Sequence, residues 1–384
     1  MIPYGKQDIS DADLAAVESV LRSSMITQGP CVPKFEEAVA NRVQAQFGVA
    51  VNSATSALHI ACLALGVGQG DRVWTTAISF VASANCAVYC GAQVDFVDID
   101  PDSFNMCANA LAEKLARAEA DGALPSLVIP VHMCGQSCDM KAIHVLSQKY
   151  GFRVLEDASH AIGGTYDGLP VGHGQYSDVT VFSFHPVKII TTGEGGLAVT
   201  NNCELHQKMT LLRSHGVTRD PELMCNDDGG WYYEQVDLGF NYRMTDIAAA
   251  LGLSQLDRLD EFVARRNALA TRYQELLKNL PLELPKISGD VKSAFHLYVI
   301  RLRTSEVALA KRDVFNTLRE RGLGVNLHYI PIYRHPYYQK MQPPFLPLPN
   351  AEDYYARAIS IPLFATMTDK EQDTVVSILG EVLT

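Results

Sequence analysis

Along the first 200 residues, apolar β-branched runs alternate with helix-like stretches, and this alternation constrains the fold more than any other feature. The strand-like runs are VAVNS (49–53), RVWTT (72–76), VDFVDI (94–99), SLVIPVH (126–132), RVLEDA (153–158), DVTVFSF (178–184) and GLAVT (196–200). Between them lie the helix-like ATSALHIACLAL (54–65), ISFVASANCAVYC (78–90) and DMKAIHVLSQKYG (139–151). Such repetition predicts an α/β fold, with a mostly parallel sheet covered by helices on both faces. From about Thr245 the character changes. The stretch 246–280 predicts long amphipathic helices, and a short α+β segment containing FHLYVIRL and GVNLHYIPIY follows. A chain of 384 residues has ample core for two domains. The expected division is a large domain, residues 1–245, and a smaller C-terminal α+β domain, residues 246–384, with residues 1 to about 20 packed on the smaller one.

Composition narrows the partners. A hydrophobic fraction of 47% and a charged fraction of 20% describe an ordinary globular chain. The formal net charge is −11 with no block of lysines and arginines, which argues against nucleic acid or an anionic membrane surface as partner. A local cluster of donors is still compatible with an anionic small molecule. The N-terminal MIPYGKQDISDADLAAV turns polar at once, unlike a signal peptide, and no apolar run reaches the ~18 residues of a membrane span. The nine cysteines are scattered. Cys134 and Cys138, in CGQSC, form the one close pair, but no further ligands follow at metal-binding spacing. Reduced thiols in a cytoplasmic protein, with no metal, are expected.

In open α/β sheets ligands bind beyond the carboxyl ends of the strands, and three groups fall there. NSATSAL runs a strand into Ser53, Ala54, Thr55 and Ser56 at the start of a helix. Free N–H groups and hydroxyls at a helix N-terminus suit a phosphate, although a plain Ser/Thr cap has the same sequence. There is no Gly-x-Gly-x-x-Gly and no Walker loop, so such a phosphate would not belong to a typical dinucleotide or nucleoside triphosphate. Asp157 ends the apolar run VLED. It either caps a following helix or needs a buried cationic partner such as a protonated heterocyclic nitrogen. Lys188, in FSFHPVKIITTGEGG, is either a solvated loop lysine or a desolvated amine with nucleophilic character. In this order on successive strand ends, the three groups match the needs of pyridoxal 5′-phosphate (PLP): a phosphate anchor, a carboxylate for the pyridine nitrogen, and an amine that bonds to the cofactor's carbonyl carbon.

EDASHA, VFSFHPVKIITTGEGG, LRSHG and GFNYRMTDIAAALGLSQL resemble, in sequence and in order, the nucleotide-sugar aminotransferases of the DegT/DnrJ/EryC1/StrS family. The resemblance spans nearly the whole chain, from ITQGP to HYIPIY. IPYGKQDI, ITQG, NSATSALH, TTAISFVASAN, ITTGEGG and NLHYIPIY are most similar to the pseudaminic-acid branch of that family. The resemblance implies a PLP-dependent transferase of fold type I. The implied reaction moves the amino group of L-glutamate, which leaves as 2-oxoglutarate, to C4 of a UDP-linked 4-keto-6-deoxy N-acetylhexosamine.

It also implies roles for particular residues. Lys188 would be the catalytic amine, Asp157 would pair with the pyridine nitrogen, and His160 would sit near the ring hydroxyl. Phe80 would stack on the ring, while Thr55, Ser56 and Ser183 would hold the phosphate. Asn241 would reach the phosphate of a neighbouring subunit in a homodimer. The sugar nucleotide would lie against Tyr4, the segment Ser24, Met25, Ile26 and Thr27, then Ala54, Ser183, Asn241, and the segment Asn326, Leu327, His328 and Tyr329. A related PLP-dependent sugar dehydratase would carry histidine in place of the reactive lysine; here position 188 is lysine, with His185 three residues before it. A nicotinamide-dependent oxidoreductase would need the missing glycine fingerprint.

Overall fold

A computed structural model describes residues 1–341, 345 and 347–384. Its centre is a seven-stranded sheet: β1 (Phe47–Val51), β2 (Arg72–Thr76), β3 (Gln93–Val97), β4 (Leu127–Ile129), β5 (Arg153–Asp157), β6 (Val179–Ser183) and β7 (Gly196–Thr200). The spatial order is β1-β7-β6-β5-β4-β2-β3. Neighbours from β6 to β3 run parallel, whereas β7 runs antiparallel to both β6 and β1. The carboxyl ends of β1, β5 and β6 therefore share one edge of the sheet.

The strands lack a polar face because both faces are covered. On one face Val49, Val51, Val181 and Ala198 meet Leu58, Ile60 and Ala61 of the helix Ala54–Ala64. On the other, Ala50, Phe182, Leu197 and Val199 meet Phe35 and Val39 of the helix Cys31–Val43 and Phe262 of the helix Leu259–Leu277. Side-chain caps fix where the helices start. Ser53 accepts from Ser56 N at 3.1 Å, Asp139 from Ala142 N at 3.1 Å and Thr245 from Ala248 N at 3.2 Å.

Beyond the sheet, Leu282–Glu283, Tyr298–Leu302 and Ala358–Ile361 form a small antiparallel sheet. Its core joins Tyr298 and Ile300 to Tyr273, Leu318, Val375 and Leu379 from three helices. The residues Ile2–Pro3 pair in parallel with Leu323–Gly324, and Leu363 N donates to Tyr4 O at 3.1 Å. The helix Asp11–Leu21 packs on the helix Asp246–Leu256, where Arg258 pairs with Asp8 and Asp13 at 2.8 and 2.7 Å. Among the described residues no helix is long and apolar enough to cross a membrane, and no cluster of His, Cys, Asp or Glu is arranged to hold a metal ion.

Several elements are shorter than their sequence patterns. SLVIPVH yields only Leu127–Ile129, because Pro130 has no N–H for the ladder. His132 N instead bonds Asp157 O at 3.0 Å. The stretch 78–90 becomes helical only from Ala82, and 246–280 divides at Asp257–Arg258 into two helices. Cys138 of CGQSC serves packing: its N–H donates to His132 Nδ1 at 3.1 Å, so His132 donates through Nε2 to buried Glu156 at 2.6 Å. Glu156 lies on the face of β5 opposite to Asp157.

Candidate active site

The site collects where β1, β5 and β6 end. Gly196 stands opposite both Val51 and Ser183, while Asp157 stands opposite Val181. A Cβ on Gly196 would come within 2.4 Å of Ala54 N and 2.5 Å of Ser53 C, so the helix N-terminus is pressed directly against the start of β7. Only glycine allows that approach. Ser56 Oγ bonds Asn52 Oδ1 at 2.7 Å and lies 3.0 Å from Ser53 Oγ, which tightens the turn. Ala54 and Thr55, at the first helical positions, leave their N–H groups without an intrahelical partner. Among the described residues the hydroxyls of Thr55 and Ser183 make no hydrogen bond within the protein. Free N–H groups and free hydroxyls facing one spot suit an anion.

Asp157 is buried at 4% exposure. Its Oδ2 accepts from Ser83 Oγ at 2.6 Å and its Oδ1 from Ser159 N at 3.1 Å; Ser83 in turn lies 2.7 Å from Ser79 Oγ. No helix follows Asp157, so the helix-cap reading falls away. A carboxylate so buried and so provided with donors is fixed in place, with room for a cationic partner.

Lys188 sits in the loop between β6 and β7, half-buried. The loop is closed at its neck by Phe184 N to Gly195 O at 2.9 Å and Thr192 N to Phe184 O at 3.0 Å. Thr191 Oγ1 accepts from Gly193 N at 2.9 Å, and Gly193 takes φ +80°, where a glycine is favoured. Desolvation pulls the Lys188 amine down to about 8, with the charge of Asp157 opposing. It is thus the desolvated amine rather than the solvated loop lysine. His185 points to solvent and does not replace it.

Three buried histidines surround this amine. Burial first, then the charge of Lys188, pushes His160 and His296 well below the usual histidine range and His328 to about 3. All three are neutral. His160 Nε2 lies 3.2 Å from Tyr329 Oη, its Nδ1 has no partner, and its ring centroid is 4.4 Å from that of His296. Tyr4 packs on His328 at 5.1 Å, and His328 Nδ1 meets Ser360 Oγ at 2.8 Å. Phe80 stays 58% exposed with its ring 6.1 Å from Tyr329, an open aromatic face over the cleft. Asn326 bonds Ser360 through the backbone, and Leu327 packs with Tyr4 and Tyr329 around Ile332.

Two expected groups are exposed and make no hydrogen bond to Lys188 or Asp157 in the single chain. Ser24, Met25, Ile26 and Thr27 are exposed, tied through Ile26 O to Asp246 N at 3.1 Å. Asn241 is exposed and bridged to Ser214. Ser83, Ser79, His296 and buried Arg266, which donates to His296 O at 3.2 Å, were not singled out from the sequence. Ser83 is 74 positions from Asp157, so no local pattern links them.

A seven-stranded α/β sheet with an anion-ready turn, a buried carboxylate and a desolvated lysine at one edge defines a PLP-dependent transferase of fold type I. The residues fit PLP on their own evidence: the free hydroxyls, the donor-rich Asp157, the unpartnered His160 Nδ1 and the Lys188 amine lie around one cleft. The chain belongs to the DegT/DnrJ/EryC1/StrS aminotransferase family, whose profile matches residues 7–380. It is 38% identical over 387 residues to the UDP-4-amino-4,6-dideoxy-N-acetyl-beta-L-altrosamine transaminase of Campylobacter jejuni, covering 100% of this chain and 98% of that protein. It is 37% identical over 389 residues to the spore coat polysaccharide biosynthesis protein SpsC of Bacillus subtilis, covering 100% and 97%. Among solved structures, Helicobacter pylori PseC, an aminotransferase involved in the biosynthesis of pseudaminic acid, superposes with a TM-score of 0.90 at 31% identity over 100% of this chain and 99% of that one.

Proposed function

We propose that this aminotransferase moves the amino group of L-glutamate to C4 of a UDP-linked 4-keto-6-deoxy N-acetylhexosamine, in the cytoplasm, on the way to pseudaminic acid or a similar cell-surface sugar. The observation that carries the amine chemistry is Lys188, a desolvated amine beside a buried, hydrogen-bonded carboxylate. Support for the sugar comes from the full-length relatives that are UDP-amino-sugar transaminases.

In this reading Thr55, Ser56, Ser183 and the N–H groups at the start of the helix Ala54–Ala64 hold the phosphate. Asp157 holds the ring nitrogen, His160 lies by the ring hydroxyl and Phe80 covers the ring face. Bound there, PLP supplies a reactive carbonyl carbon and a protonated ring that withdraws electrons. Asp157 keeps that proton on the ring nitrogen, and Ser83 and Ser159 hold the Asp157 carboxylate in position. Lys188 Nζ takes the proton from the α-carbon of glutamate as general base and delivers one to C4 of the sugar in the second half-reaction. One site serves two substrates in turn, so the kinetics are ping-pong. Tyr4, Ser24–Thr27, Ala54 and Asn326–Tyr329 line the sugar-nucleotide path. The exposed Asn241 completes the phosphate site of a second copy in a homodimer.

The test is incubation of the PLP-loaded protein with glutamate and UDP-, GDP- and dTDP-linked 4-keto sugars, with products identified by mass and NMR. Amination of the UDP sugar at C4 is the expected result. Turnover of only the GDP or dTDP sugars would overturn the substrate reading.

A further inference from the structure

The ring of His160 is buried, and only one of its two nitrogens is met. Its Nε2 lies 3.2 Å from Tyr329 Oη, while its Nδ1 has no partner among the described residues. The ring of His296 is 4.4 Å away, centre to centre, yet its own Nδ1 is equally unpartnered. His160 and Tyr329 stand 169 positions apart, the first just beyond β5 and the second just beyond the strand Leu323–Gly324. The segment that carries Tyr329 is pinned. Asn326 and Ser360 exchange backbone hydrogen bonds at 3.1 and 2.7 Å, and Tyr354 Oη donates to His328 O. The two rings lie 6.1 Å apart at 26°.

A neutral imidazole carries one N–H and one bare nitrogen, so the contact with Tyr329 decides which is which. Suppose Nε2 carried the hydrogen and donated to Tyr329 Oη. The phenol hydrogen would then find no acceptor among the described residues, and the bare Nδ1 would find no donor. With the phenol as donor, its hydrogen goes to Nε2, and Nδ1–H is the single group left over. One unmet group is favoured over two. Burial raises the Tyr329 hydroxyl well above the usual tyrosine range, and burial with the charge of Lys188 holds His160 well below its own. Neither therefore changes charge near neutral pH. The titratable groups that face the pair are Lys188, Asp157, His296, His328, Tyr4 and Cys134.

We propose that Tyr329 is a positioning residue that locks His160 as the Nδ1–H tautomer, so that the imidazole offers a donor, and not an acceptor, to the ring oxygen of the cofactor. The part of this that concerns the cofactor rests on the PLP reading above; the lock itself does not. A donor at that oxygen favours whichever state carries the fuller negative charge there, which is the state that has lost its proton. The lock therefore lowers the pH at which the loaded protein gives that proton up. Tyr329 acts here through His160, apart from any contact it makes with the sugar.

The full-length protein, labelled with heavy carbon and nitrogen at its eleven histidines, is first examined without PLP by magic-angle-spinning NMR. Carbon correlations tell Nδ1 from Nε2, and the nitrogen shifts tell a protonated nitrogen from a bare one. The signals missing from His160→Gln belong to His160. A protonated Nδ1 and a bare Nε2 are expected in the unmodified chain, and a mixture of the two tautomers in Tyr329→Phe. The PLP-loaded proteins are then titrated with pH by visible absorbance. Tyr329→Phe should raise the midpoint by about one unit, the loss of one hydrogen bond to a charged oxygen. A packing role alone would not move it, since phenylalanine fills the same space. A His160 protonated at Nε2, a tautomer unchanged in Tyr329→Phe, or a midpoint that stays or falls would each overturn the proposal. A protein that takes up no PLP would instead sink the cofactor reading and the part of the proposal resting on it, while the NMR alone decides the lock.

Discussion

Lys188 titrates near 8 because the loop that carries it takes it out of water, and only the charge of Asp157 opposes that cost. The lowering from 10.5 to about 8 means roughly 300-fold more neutral amine at pH 7 than an ordinary lysine holds. The perturbation that tests this is Asp157→Asn in the PLP-free protein. The substitution keeps the shape and removes the one charge that favours the ammonium, so the Lys188 midpoint should fall further, below 8. Competitive acetylation from pH 5 to 10, mapped by mass spectrometry, reads the midpoint of each lysine. Exposed Lys149, whose contact with Tyr150 raises it, is the internal reference. Accessibility scales the rate but does not move the midpoint. Lys188 should reach half its limiting rate near pH 8 while Lys149 is still rising. A Lys188 profile that follows Lys149, or a midpoint that rises in Asp157→Asn, would refute the argument that burial and Asp157 together set this amine.

Ser83→Ala removes a buried hydrogen bond to a carboxylate worth about 1.5–3 kcal/mol, and the half-reaction with glutamate should slow about ten-fold or more in single-turnover absorbance measurements. An unchanged rate would leave Ser83 with a packing role alone. Gly196→Ala drives a Cβ into the backbone of Ser53 and Ala54, and should cost about 1–3 kcal/mol in thermal unfolding and weaken PLP in a fluorescence titration. Asn241→Asp and Lys188→Ala chains, each weak alone, should partly recover activity when mixed, because one site of the heterodimer is then intact. No recovery, with the heterodimer seen by native mass spectrometry, would exclude a site shared in this way.

The sheet was legible because most of its strands are covered on both faces and so appear as largely apolar runs, mostly separated by helices. The edge where ligands gather was legible too, since Ser53–Ser56, Asp157 and Lys188 each follow such a run. What surrounds them was not. Ser83 meets Asp157 only through the packing of a helix on the sheet, and His296 reaches His160 only because Gly135 O and Cys134 O hold the turn Ala294–His296 against it. Such contacts join segments far apart in the chain and leave no periodic trace. At Asp157 the helix-cap reading failed because no helix follows, and its actual partner, Ser83, comes from another element.

The placing of β7 between β1 and β6 has a consequence for the order in which the molecule assembles. The strand Phe47–Val51 is made early, yet among the described residues its only strand partner in the sheet is Gly196–Thr200. At ~5–20 residues per second, a ribosome needs on the order of ten seconds or more to supply that partner. For that interval an apolar edge strand waits without its neighbour, exposed to the pairing errors that open edges invite. The turn at Ser53–Ser56 cannot be set until Gly196 arrives beneath it, so the anion site is among the last features of the sheet to form. A chain that lacks Gly196–Thr200 would still carry Asp157 on β5 but would have no seat for a phosphate.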